Sequence, residues 1–246
     1  MLWSAGCASA PPATPTVTPH PPTPTATATP SVVVAVVPPA LLPAEGALRT
    51  CAAEVGAPLA VFVQPQAAPP PPTVNFRLWW GDMPPEDWDP YLLGYERLVA
   101  VVHQGGQEAA VDEETLARLV LGQQTLWPGS EKPVALWLPL PGTAEDQRLH
   151  AWLGDTPRRG DASLAPTTQA MLQAVADDAA ALGFLPAAWL STHPGALVQA
   201  LPVAVPHGRA SVLALLPPDA PPSARLLVGC LQQGKGQQAL EMYHTP

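Results

Sequence analysis

Charge is scarce in this chain, and positive charge scarcest. Of 246 residues only 13% are charged, with 11 Lys or Arg against 20 Asp or Glu and a formal charge of −9. That balance argues against a nucleic-acid binder, which needs a basic footprint to displace counterions. It argues equally against a polybasic membrane-surface protein. Three cysteines are too few for a disulfide scaffold. No apolar run approaches the ~20 residues that span a bilayer. Catalytic signatures are missing too: there is no Gly-x-Ser-x-Gly elbow, no P-loop and no CxxC. His103, His150, His193, His207 and His244 show neither HxH nor HExxH spacing. The expectation is therefore no enzyme, no metal and no cofactor.

What the chain does have is proline, 35 residues of it, far above the usual ~5%. The prolines crowd the front. Residues 8–30, ASAPPATPTVTPHPPTPTATATP, carry no formal charge and no aromatic, and no Asp, Glu, Lys or Arg precedes Glu45. Such a segment cannot bury a core. It is expected to run as an extended, solvated spacer of about 3 Å per residue. Ahead of it, Ser4-Ala5-Gly6-Cys7 resembles the lipobox of bacterial lipoproteins, in which the cysteine is lipidated and becomes the mature N-terminus. Only Met1, Leu2 and Trp3 stand where a charged and then apolar leader belongs. The resemblance implies a membrane-anchored, extracytoplasmic chain: 1–30 as lipobox remnant and tether, 31–246 as the folded domain.

From residue 31 the pattern is α/β. With 47% hydrophobic residues there is apolar surface enough for a core. Strands are expected at 31–37, 58–64, 74–80, 98–103 and 134–138, with a pair near 201–205 and 211–216. Helices are expected at 40–55, 112–121, 143–153, at 166–182 with Gly183 as the stop, and over 222–243. Strands alternating with helices predict largely parallel sheets with crossover connections.

Five stretches, in order, resemble the phosphate-binding-protein branch of the type 2 periplasmic substrate-binding proteins, the extracytoplasmic receptors of ABC importers. Leu93 to His103 is similar to their crossover strand, and Val111 to Trp127 to the helix and tryptophan element that follows. Val134 to Thr143 resembles a strand leading into a phosphate-gripping Ser-Gly-Thr turn. Ala181 to Pro186 resembles a later strand, and Leu226 to Pro246 the closing helix. The resemblance implies a two-lobed fold, each lobe a mixed, largely parallel sheet flanked by helices, with ligand held between lobes. Lobe one would be 31–93 plus 192–246, and lobe two 94–191. It also implies a small-molecule or oxyanion ligand and an ABC permease as partner.

The binding chemistry, taken residue by residue, departs from that family. After the first strand, Pro38-Pro39-Ala40-Leu41 offers no hydroxyl and loses two amide donors to proline. After the third, Trp79, Trp80, Gly81 and Asp82 give a cleft aspartate and a flat apolar wall; the alternative packs one indole in the core and leaves the other at the surface. Pro141, Gly142 and Thr143 stand where Ser-Gly-Thr would be, with Trp137 where an arginine would be expected. Thr143 reads as the N-cap of a helix and Asp146 as the acid of a capping box. Glu145 and Asp146 would then satisfy the helix end themselves and repel phosphate. Arg148, one turn on, could still point to the cleft. An oxidising location permits a bridge between Cys51 and Cys230, but two buried free thiols are the preferred reading. The function expected is solute binding with a ligand not gripped as phosphate usually is. The alternative is an interaction module that keeps the fold without a ligand.

Overall fold

The computed structural model describes residues 32–84, 87–106 and 111–243. Cys7 and the proline-rich segment 1–30 lie outside the described residues, as do Pro85 and His244. The β-branched run becomes β1 (Val33–Val37), in which Val33, Ala35, Val36 and Val37 are fully buried. A 3-10 turn, Pro39–Ala44, leads into α1 (Glu45–Glu54), then β2 (Leu59–Val63), β3 (Phe76–Trp80) and β4 (Asp89–His103). The chain continues through α2 (Glu113–Val120), β5 (Ala135–Pro139), α3 (Ala144–Leu153), β6 (Ser163–Ala165) and α4 (Thr168–Asp177). It returns through β7 (Ala181–Pro186), α5 (Ala187–Thr192) and β8 (Val198–Leu216) to α6 (Pro222–Leu231), α7 (Gly234–Ala239) and a last turn, Glu241–Tyr243.

All eight strands join one sheet in the order β2-β1-β3-β8-β4-β7-β5-β6. Both ends are parallel: β1 pairs with β2 and β3, and β5 with β7 and β6. The centre is antiparallel, where β8 lies between β3 and β4, and β4 pairs with β7. β4 has 15 residues and β8 has 19, so the two long strands run from one parallel half into the other. The apolar run in β4 is buried on both faces. Leu98, Ala100 and Val102 enter the larger core, while Val99 and Val101 enter a smaller one with Met171, Val175, Leu185 and Trp189. A continuous apolar run, rather than alternation, is what a strand covered on both sides requires.

Several expected boundaries move. The strand expected at 98–103 begins at Asp89, because β8 pairs with the polar stretch before Leu98 as well. The expected strand pair near 201–216 is one strand, interrupted at His207 with φ 54°. The helix expected over 166–182 ends at Asp177, and Gly183 lies inside β7 rather than stopping a helix. Packing overrides alanine's helix preference there. A Cβ on Gly183 would come within 2.7 Å of Met171 Sδ and Val175 Cγ2, so glycine lets α4 lie directly on β7. Cys51 and Cys230 are not free thiols: they are bonded, joining α1 to α6 across 179 residues of chain.

Where the halves meet, Glu96 of β4 is buried. Its carboxylate accepts from the amides of Arg97 (2.7 Å), Ala187 (3.0 Å) and Ala188 (3.2 Å), which ties β4 to the start of α5. Its carbonyl accepts from Trp80 Nε1 at 3.2 Å. Burial outweighs those hydrogen bonds and raises the Glu96 pKa to about 7.

Candidate functional site

The carboxyl ends of β1, β2 and β3 in one half and of β5 and β6 in the other open onto a common crevice. This is where open α/β sheets place ligands, because backbone amides and helix starts turn inward there. Among the described residues three hydrogen bonds cross it. Gln66 Nε2 donates to Gln147 Oε1 at 2.8 Å, Ala67 N to the Gly142 carbonyl at 3.3 Å, and Trp189 Nε1 to the Ala40 carbonyl at 3.0 Å. Gln66 itself is fixed from β3, accepting from Trp80 N (2.8 Å) and donating to the Trp80 carbonyl (3.0 Å).

One part of the crevice is a filled corner. Thr143 caps α3 by accepting from Asp146 N at 3.2 Å, and Thr167 caps α4 by accepting from Ala170 N at 3.1 Å. The two helix starts converge on Glu145, which is 3% exposed and accepts from Thr168 Oγ1 at 2.5 Å. Pro39, Pro139, Ala165, Met171 and Phe184 complete the wall, and the space left is about 10 Å³, near the minimum for one water. Burial raises the Glu145 pKa, while the hydroxyls of Thr168 and Thr143 act in the opposite direction. Asp146 holds the neighbouring donor. Its Oδ2 accepts from Gly142 N at 3.0 Å and its Oδ1 pairs with Arg158 at 2.5 Å. A capping box would send that acid to the Thr143 amide; here it reaches one residue further back, and Thr143 N donates to the Leu140 carbonyl instead.

The other part is an open groove of about 310 Å³ lined by Trp79, Gly81, Asp82, Met83, Gln147 and Arg148. Asp82 Oδ1 accepts from Ser211 N (3.0 Å) and Ser211 Oγ (2.8 Å), and these bonds lower its pKa, helped by the charge of Arg148. Arg148 is half-buried, and burial lowers its pKa. Arg77, almost fully buried, donates to the Gln66 carbonyl and sets its guanidinium 5.1 Å from the centroid of the Trp79 ring.

The expected site residues therefore separate. Trp79, Gly81 and Asp82 line the groove, and Thr143 lines the corner. Gly142 spends its amide on Asp146 and its carbonyl on Ala67, and Pro141 is exposed and lines neither space. Trp80 lines neither space. It is fully buried and its indole N–H is used by Glu96, because neighbours along a strand face opposite sides of the sheet. Trp137 packs against the smaller core. Gln66 and Gln147 are crevice residues that sequence reasoning missed, since a lone glutamine in a loop or helix carries no motif.

No family model and no curated protein matches this chain. Solved structures do. A phosphate ABC-transporter type substrate-binding protein from Clostridium perfringens, solved with phosphate bound, aligns with TM-score 0.76 at 11% identity, over 87% of this chain and 98% of that one. An ABC-type phosphate transport receptor from Vibrio cholerae aligns with TM-score 0.63 at 14% identity, over 87% and 100%. The reduced OxyR regulatory domain from Pseudomonas aeruginosa gives TM-score 0.59 at 12% identity, over 81% and 96%. Transport receptors and a regulatory domain thus share this architecture, and the chain has the two-lobed type 2 periplasmic-binding-protein fold.

Proposed function

We propose that this chain is an extracytoplasmic solute-binding protein, tethered to the membrane through a lipidated Cys7 and serving an ABC importer, with a ligand other than phosphate. Lobe one is 31–93 with 192–246 and lobe two is 94–191, hinged on β4 and β8. Closing the lobes on ligand is the mechanism, with tighter binding in the closed state supplying the switch. The observation that carries the reading is the crevice itself: strand ends and helix starts from both halves converge on it, bridged by a few hydrogen bonds that can open. The occupant of the corner sets the ligand apart. An external oxyanion entering there would meet the Glu145 carboxyl and find the Gly142 amide already taken by Asp146.

The same filled corner favours a second reading, a tethered interaction module without a ligand. Thermal melts and tryptophan fluorescence of the full chain, run against phosphate, sulfate and a panel of organic solutes, separate the two. A ligand raises the melting temperature by mass action. Silence across the panel supports the module, and micromolar binding of phosphate overturns the argument from Glu145. Cys7→Ser is expected to move the protein from the membrane fraction to the soluble extracytoplasmic fraction; retention at the membrane would overturn the lipid tether.

A further inference from the structure

We infer that the groove between the end of β3 and α3 binds a small organic monocarboxylate with a flat apolar body. Arg148 receives the carboxylate and Trp79 receives the body. The inference rests on the reading of the crevice as a solute site and names the class of solute.

The first ground is a guanidinium in the groove wall without a close counter-ion. Arg49, Arg118, Arg158 and Arg159 each pair with a carboxylate. Arg148, like Arg77, Arg97, Arg209 and Arg225, makes no close ion pair among the described residues; the charge of Asp82 acts on it from further off, and its Nε is buried without a partner. Of its three nitrogens only Nε is both buried and unpartnered, so the terminal nitrogens are the ones a ligand in the groove can reach. Its planar fork fits a planar carboxylate in bidentate fashion.

Charge in the groove sets the valence. Arg148 lines it and Arg77 backs it behind the indole, against Asp82, whose Oδ1 is committed to Ser211. Two positive groups and one negative leave a single positive charge. A monoanion balances that charge, whereas a second negative charge would face Asp82.

Shape gives the body of the ligand. Trp79 presents a rigid surface whose own N–H is buried without a partner, so the contact it offers is apolar. Gly81 brings the two recognition groups together. A Cβ there would stand 3.0 Å from Trp79 Nε1 and 3.4 Å from Arg148 Nη2, so a side chain would push the indole and the guanidinium apart. The volume of about 310 Å³ is at the low end for small-molecule sites, which suits a compact ligand.

The test uses the full chain and benzoate as probe, with acetate, phosphate and sulfate alongside, by calorimetry and tryptophan fluorescence. Benzoate should bind one per chain and change the Trp79 signal, and acetate should bind more weakly. Arg148→Gln should weaken benzoate at least roughly tenfold, with Arg148→Lys in between because it keeps the charge but not the fork. Trp79→Leu should weaken benzoate while leaving acetate unchanged. Arg148→Gln should melt no lower than the native chain, which separates lost binding from lost folding. Equal benzoate affinity in Arg148→Gln, no benzoate binding at about 10 mM, or tighter binding of phosphate would each overturn the inference. Another solute from the panel that binds regardless of Arg148 would overturn it and leave the solute-binding reading standing. A chain that binds nothing would overturn both.

Discussion

The corner around Glu145 and the groove around Arg148 are two parts of one crevice, lined from the same helix, and they differ in whether their polar groups are satisfied. In the corner a buried carboxyl has its hydroxyl donor, the helix start has its cap, and about 10 Å³ is left. In the groove a half-buried guanidinium has no close ion pair among the described residues, only the more distant charge of Asp82, and about 310 Å³ is open beside it. The first arrangement is that of a structural core. The second is that of a site whose last partner arrives from outside. Residues three apart on α3 thus serve opposite ends, because Glu145 turns toward α4 and Arg148 toward β3.

Substitutions test that contrast, and the largest expected effect lies on β4, where the two halves meet. Glu96 keeps its proton in the folded chain up to about pH 7, whereas the unfolded chain releases it near the ordinary value of 4.5. The native state therefore binds more protons between those values. The contribution of this group is complete below pH 4.5 and is lost as pH rises through 7, in all about 3 kcal/mol. Urea unfolding from pH 5 to 8 should show stability falling, and Glu96→Gln should flatten the slope. A slope unchanged by that substitution would contradict the role given to Glu96. Glu145 acts with the same sign, since burial raises it too.

Next in size is Thr168→Val, which leaves the buried Glu145 without its hydroxyl and should cost about 1–3 kcal/mol in a urea melt. Benzoate affinity should not change; a change would mean that the two regions are coupled rather than separate. Glu145→Ala should open the corner. With phosphate at about ten times its Kd the variant should gain roughly 1.4 kcal/mol, seen as a rise in melting temperature that the native chain lacks. An equal rise in both would show that Glu145 does not exclude oxyanions. Smallest of all, Arg148→Gln should shift stability by about 0.5 kcal/mol or less, because only a distant attraction to Asp82 is lost and no close ion pair or hydrogen bond. A loss as large as that of Thr168→Val would mean that the groove is structural after all.

Much of this was readable from the sequence, and the misses have physical causes. Thr143 reads as a helix cap because a hydroxyl three residues before an acid can only serve a few local amides, and it caps α3. The β-branched and apolar runs gave β1, β3 and β5 within a few residues. Side-chain facing was the weak point. Trp79 and Trp80 are equivalent to any composition argument, and only the parity of β3 puts one in the groove and the other in the core. Glu145 reads as one of two carboxylates that satisfy the helix end; its burial depends on α4 arriving from 23 residues away to supply Thr168. Arg148 could not be assigned from helix position alone, since the neighbour that makes its face a groove is β3. The Cys51–Cys230 bond depended likewise on α1 and α6 meeting across most of the chain.

That bond also governs how tension would travel through the molecule. It closes a covalent ring that contains every strand from β2 to β8. A pull on the front of the chain passes from β1 through α1 directly into α6, bypassing β4 and β8. The half built on β5, β6 and β7 lies within the ring, joined to β4 through β7. Closing of the crevice, as proposed above, would leave that ring intact, because α1 and α6 stay joined whatever β5, β6 and β7 do.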